Sequence, residues 1–131
     1  MGYAKEFNAA DYEVPSFLQT AYWLDVSWHN DVCPRFENDE LMLAVWVETT
    51  DPCGREYDDW KQYTVVKVID TADGTILEDD SCFETDNVAE LQEWLHKYAV
   101  KEVILKAFAT ASLHSWTHDI ADELAELLTR L

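Results

Sequence analysis

Apolar residues fall into short runs along the first two thirds of the chain and into helically spaced stripes in the last third. Tyr22, Leu24, Val26 and Trp28 alternate with Trp23, Asp25, Ser27 and His29; a period of two predicts a half-buried strand. A polar stretch with Pro34 and the acidic run 37–40 reads as a loop. Residues 41–48 (LMLAVWVE) form an apolar run stopped by Thr49-Thr50-Asp51-Pro52, a second strand, and 53–60 read as an acidic loop. Residues 63–69 (YTVVKVI) are β-branched and predict a third strand. Asp73-Gly74 between apolar runs marks a hairpin, with a return strand over 75–79 and a connector over 80–85.

The period then changes. Val88, Leu91, Trp94, Leu95 and Tyr98 share one helical face, with Asn87 three residues before Glu90 as a capping pair. Thr85 and Asp86 are alternative caps. Residues 100–108 (VKEVILKAF) alternate in part and predict a last strand. Ile120, Leu124, Leu127, Leu128 and Leu131 then define an amphipathic helix starting near Ser115 or Thr117. The order β-β-β-β-α-β-α predicts an α+β fold: a mainly antiparallel sheet of about five strands with both helices on one face.

A chain of 131 residues with three Gly and three Pro is expected to form a single domain, 1–131. No apolar stretch is long enough to span a membrane, and the start of the chain lacks the apolar segment of a signal peptide. The absence of an export signal points to the cytoplasm. Cys33, Cys53 and Cys82 are odd in number and form no C-x-x-C pair, so they read as free thiols.

Charge changes the picture most. Twenty-seven acids face nine bases, a net charge of −18. Chains this acidic are usually disordered for want of apolar surface, yet this one is 48% hydrophobic and 13% aromatic. It is expected to fold and then carry a charge far beyond the magnitude of about 2–8 that suits a small soluble domain. Residues 1–60 hold thirteen acids against three bases, and 61–131 fourteen against six, so the charge belongs to the whole fold. Four groups stand out: Glu37, Asp39 and Glu40; Glu56, Asp58 and Asp59; Glu78, Asp79 and Asp80, followed by Glu84 and Asp86; and Asp119, Asp122, Glu123 and Glu126 opposite the last leucine stripe. Carboxylates roughly 5–7 Å apart on a helix or strand fall in the range of phosphate spacing along a nucleic-acid strand. Trp60, beside the second group, is a candidate interface anchor, and Trp23 falls on the polar parity of its strand. Trp28, Trp46 and Trp94 read as core.

Chemistry-bearing motifs are weak. His114 and His118 stand four apart near Asp119 and Asp122, a spacing that allows a shared metal on a helix, but Ser115 occupies the place of the metalloprotease glutamate. His29, Asp31 and Cys33 would need the fold to converge them. No glycine-rich phosphate loop, nucleophile elbow or basic stripe is present, and −18 repels nucleic acid. The residues call for no cofactor and no metal, and the protein is read as a non-enzyme.

In size, charge and α+β make-up the whole chain resembles the DNA-mimic proteins of phages and mobile elements, including anti-CRISPR and anti-restriction proteins. That resemblance rests on no diagnostic motif. It implies an inhibitor whose partner is a basic nucleic-acid-binding protein, such as a Cas effector or restriction enzyme. The expected contacts are Glu37, Asp39 and Glu40, Glu56, Asp58 and Asp59, Glu78, Asp79 and Asp80, Asp119, Asp122, Glu123 and Glu126, with Trp60. The alternatives are an immunity protein or antitoxin that neutralises a basic toxin, and a metal-dependent enzyme using His114, His118 and Asp122.

Overall fold

Residues 63–70 form an inner β-strand of the sheet, where β-branched side chains alternate between its two faces. The computed structural model describes residues 2–57, 59–70, 76–113, 126–127 and 129–130; at 70, 76, 77, 79, 80 and 108–113 it describes the backbone alone. The chain divides into two compact units, 1–92 and 93–131.

The first unit opens with a short helix α1 (Tyr3–Glu6) and 3₁₀ turns at Ala9–Asp11 and Ser16–Gln19. Five strands follow: β1 (Leu24–Asp25), β2 (Arg35–Asn38), β3 (Leu43–Val47), β4 (Tyr63–Asp70) and β5 (Ile76–Thr85). They form one antiparallel sheet in sequential order, so each strand pairs with its chain neighbour. Helix α2 (Val88–Leu113) follows β5. The molecule is α+β, as expected, with five antiparallel strands.

Register sorts the side chains onto two faces. Phe36, Val45, Val65 and Phe83 lie directly opposite one another across β2 to β5, as do Val47, Tyr63 and Thr85 across β3 to β5. Phe36, Leu43, Val45, Val47, Tyr63 and Val65 are essentially inaccessible to solvent, and this face is the core. Leu18 and Leu91 are buried in the same unit. Each such side chain contributes about 1.5–3 kcal/mol by leaving water. The Tyr63 hydroxyl donates to the Glu13 carbonyl at 2.7 Å, and burial pushes its pKa up to about 12, with the charge of Glu13 adding to the shift.

Several sequence expectations are corrected. The acidic run begins inside β2 rather than in a loop: Glu37 and Asn38 are strand residues, and the turn to β3 starts at Asp39. That turn is closed by the Leu41 N–H bonding to the Asn38 side chain at 3.0 Å. β5 runs through 80–85, where a connector was expected. Two register shifts against β4, between Val65 and Val66 and between Val66 and Val68, let it continue with added twist. The strand expected over 22–28 shrinks to two residues. Its parity also fails: Tyr22 is 80% exposed and Leu24 and Trp28 are exposed, whereas Ser27 is buried. A hydroxyl explains this, since the Ser27 Oγ accepts the Arg35 N–H at 3.1 Å and satisfies β2 in place of a ladder bond.

Residues 100–108 are helix, not strand. Val100, Val103, Ile104, Ala107 and Phe108 fit helical spacing as well as partial alternation. No Gly or Pro occurs between 88 and 113, and Lys, Glu, Leu and Ala favour continuation. The helix starts as its sequence predicts. The Asn87 side chain accepts the Glu90 N–H at 3.1 Å, while the Glu90 carboxylate accepts from the Thr85 hydroxyl at 2.6 Å. In the second unit, Trp94 stacks on Tyr98 at 5.2 Å and Lys97 pairs with Glu93. The expected hairpin turn at Asp73-Gly74 and most of the last amphipathic helix lie outside the described residues. Glu126, Leu127 and Thr129 are helical. No described helix is long and apolar enough to cross a membrane.

Candidate functional site

The face of the sheet opposite the core carries polar chemistry. Arg35, Trp46, Thr64 and Glu84 lie directly opposite one another across β2, β3, β4 and β5 and form one transverse row. Neighbouring strands are about 4.8 Å apart, so β2 and β5 would be roughly 14 Å apart in a flat sheet. Arg35 nevertheless forms an ion pair with Glu78 of β5 through Nη1. Its Nε donates to Glu37 at 3.0 Å, and its guanidinium lies 4.7 Å from the centre of the Trp46 ring. The two long side chains span that distance over the Trp46 side of the sheet.

An open pocket of about 360 Å³ lies on this face. Trp46, Thr64 and Val66 form its floor, and Val32, Cys33 and Trp60 come from the flanking loops. Glu48, Glu78 and Glu84 also line it, and no base does among the described residues. Glu48 follows Trp46 by two residues and so continues the same side of the chain. It is 4% exposed, the one buried carboxylate among the described residues, and its Oε1 has no hydrogen-bond partner there. Burial raises its pKa, opposed by the Thr49 N–H and the charge of Arg55. Glu84 accepts from the Ser81 hydroxyl at 3.0 Å.

Trp60 is held by its backbone. The Arg55 guanidinium donates to the Trp60 carbonyl at 2.6 Å and to Asp86 at 3.2 Å, and its Nε donates to the Thr49 carbonyl at 3.0 Å. Trp60 is 40% exposed, and its ring centre lies 4.7 Å from that of Tyr57. Asp86 anchors the end of this loop by accepting the Gln62 N–H at 2.8 Å, with Lys61 at 3.6 Å. The Gln62 bond, then the charges of Lys61 and Arg55, hold its pKa below the usual carboxylate value. A depressed folded-state pKa contributes stability above the unfolded value that is lost as pH falls through the folded one. The Asp86 side chain is more than half exposed and its charge is screened, so Asp86→Ala should lower stability by at most about 1 kcal/mol at neutral pH. Urea melts should show that difference disappearing once the pH lies below the folded-state pKa of Asp86.

The structure disperses the sequence-predicted contacts. Glu78 and Trp60 meet at the pocket. Glu37 is half-buried against Arg35. Asp39 and Glu40 are exposed on the β2–β3 turn, beside a second hollow lined also by Tyr22 and Leu24. Glu56 and Asp59 are exposed on the 55–60 loop. Asp79 and Asp80 belong to β5. Glu126 is exposed and pairs with Arg130 in the second unit. Asp58, Asp119, Asp122 and Glu123 lie outside the described residues, as do His114 and His118.

One sequence reading is revised. Trp28 is exposed rather than core. Cys33 is buried, and burial followed by the charges of Glu48 and Asp31 raises its thiol pKa, the opposite of what an activated nucleophile needs. His29 binds Glu6 at 2.6 Å and not Cys33. Among the described residues no group of three or more His, Cys, Asp or Glu is placed to hold a metal ion. The pocket residues Glu48, Glu84 and Trp46, and Arg35 beside them on Trp46, were missing from the sequence-predicted site. The signal for Glu48 was its parity with Trp46 in a run otherwise apolar.

No protein-family model, curated protein sequence or solved structure matches the chain.

Proposed function

We propose that the protein is an acidic inhibitor that mimics DNA and occupies the basic nucleic-acid-binding cleft of a target enzyme, of the anti-CRISPR or anti-restriction kind, in a bacterial cytoplasm. One observation carries the reading. Nine bases can neutralise at most nine of the twenty-seven acids, and every described carboxylate except Glu48 lies at least partly at the surface. A folded surface with this excess repels itself, and a complementary cationic surface relieves that repulsion. Opposite fields would also speed encounter, with a rate that falls as salt screens them.

The test uses the immobilised protein and nuclease-treated bacterial lysate. Retained proteins should be basic nucleic-acid enzymes released by added duplex DNA. Retention that DNA leaves intact would overturn the reading, and a captured toxin domain would replace it with an immunity function. Asp39→Lys with Glu40→Lys should weaken capture about tenfold, or about 1.4 kcal/mol. Both residues are exposed and have no ion pair among the described residues, so this reversal leaves the internal pairs of the sheet intact.

A further inference from the structure

We propose that the pocket on the face of the sheet opposite the core receives a guanidinium group, an arginine side chain projected by the basic partner, with Glu48 as its counter-ion and Trp60 as its stacking wall. This rests on the reading of the protein as an acidic ligand of a basic partner, and deepens it by naming the contact. Three observations converge. Glu48 is buried at the pocket with one oxygen unpartnered, an arrangement that costs free energy until a donor arrives. The lining is aromatic and acidic, with Trp46, Trp60, Glu78 and Glu84 and no described base. The same face already holds one guanidinium: Arg35 lies over Trp46 and pairs with Glu37 and Glu78. A second planar cation would meet the same chemistry from the solvent side.

Planarity favours arginine over lysine. A guanidinium stacks on an indole and presents a fork of donors to carboxylates, whereas an ammonium is a compact and strongly hydrated charge. A volume of about 360 Å³ lies at the small end of ligand pockets and suits one side chain rather than a chain segment. Phosphate-binding clefts are rich in arginine, so a mimic that captures one such side chain gains register as well as charge. Ionised Glu48 would then be favoured by the cation beside it, reversing the effect of its burial.

The experiment needs no partner. N-acetyl-arginine methylamide is titrated into the full chain and followed by tryptophan fluorescence and by NMR shifts. Saturable binding is expected, weakened at least tenfold by Glu48→Gln and, separately, by Trp60→Ala, with N-acetyl-lysine methylamide binding more weakly. Circular dichroism checks that both variants fold, and the exposed Trp60 supplies the arm that does not disturb a buried position. Agmatine serves as the free small cation. Binding of both guanidinium probes supports the proposal, whereas agmatine binding without the blocked arginine overturns the partner side chain as its source. No saturation, or saturation indifferent to both substitutions, overturns the site. Failure here with DNA-displaceable capture intact would remove the pocket and leave the proposed function. Binding of the probe without any captured basic enzyme would do the reverse.

Discussion

Replacing Tyr63 with Ala should lower stability by about 3–5 kcal/mol, the largest loss expected from any single side chain of the core. Tyr63 is fully buried on β4, opposite Val47 on one side and Thr85 on the other. Truncation would remove an aromatic ring from between two strands and leave a cavity that sheet neighbours cannot collapse to fill. It would also release the Glu13 carbonyl, which the hydroxyl ties to the sheet from fifty residues away. Tyr63→Phe separates the two effects. It keeps the ring and loses the hydrogen bond, which should cost about 1 kcal/mol. Domains of this size have about 5–15 kcal/mol in total, and a net charge of −18 draws on that margin through self-repulsion. The Ala variant should therefore be partly unfolded at low salt and recover with added salt, as screening weakens the repulsion. Urea melts of the three proteins at low and high salt measure both effects. A loss below about 1 kcal/mol for Tyr63→Ala would show that the sheet core is not where stability resides.

What was legible in the sequence was local. The β-branched run at 63–69 became β4 with nearly the expected bounds, and 41–48 contains β3. Asn87 and Glu90 marked the helix start because a cap is a short-range hydrogen bond between fixed positions. The failures share a cause: they depend on partners far along the chain. Ser27 is buried because Arg35 needs an acceptor for its N–H, which no alternation pattern at 22–28 can reveal. β5 continues through Asp80 because β4 offers a ladder and register shifts absorb the irregularity. Residues 100–108 fit two periods at once, and an uninterrupted helix arriving from residue 88 decided between them. The pocket was invisible for a related reason. Acidic groups were sought as sequence neighbours, whereas Glu48, Glu78 and Glu84 come together only through the pairing of β3, β4 and β5. Charge clusters on an exposed edge strand also discourage pairing with other chains. β5 ends the strand order, so the exposed Glu78 has a structural use there beside any in binding.

Arg35→Ala should cost about 2–3 kcal/mol, the second large loss. The arginine side chain is nearly buried and carries three interactions: Glu37, Glu78 and the face of Trp46. Removing one partner of a fully buried ion pair costs about 3–5 kcal/mol, chiefly because the other charge is stranded. Glu37 and Glu78 keep some contact with water, which lowers the figure. The attribution can be checked with a double-mutant cycle. If stranded charge dominates, Glu78→Gln should destabilise the natural chain but be neutral or stabilising beside Arg35→Ala. Arg35→Met adds a third point: it restores the apolar stem over Trp46 without the charge, so recovery there measures packing. The cycle also bears on function. Reversing Glu78 to Lys would place two cations against each other beneath the pocket, so any lost binding would mix a broken sheet contact with a lost partner contact. Stability and binding measured on the same Glu78 variants would separate the two, with Asp39 and Glu40 as the reference that touches no internal pair.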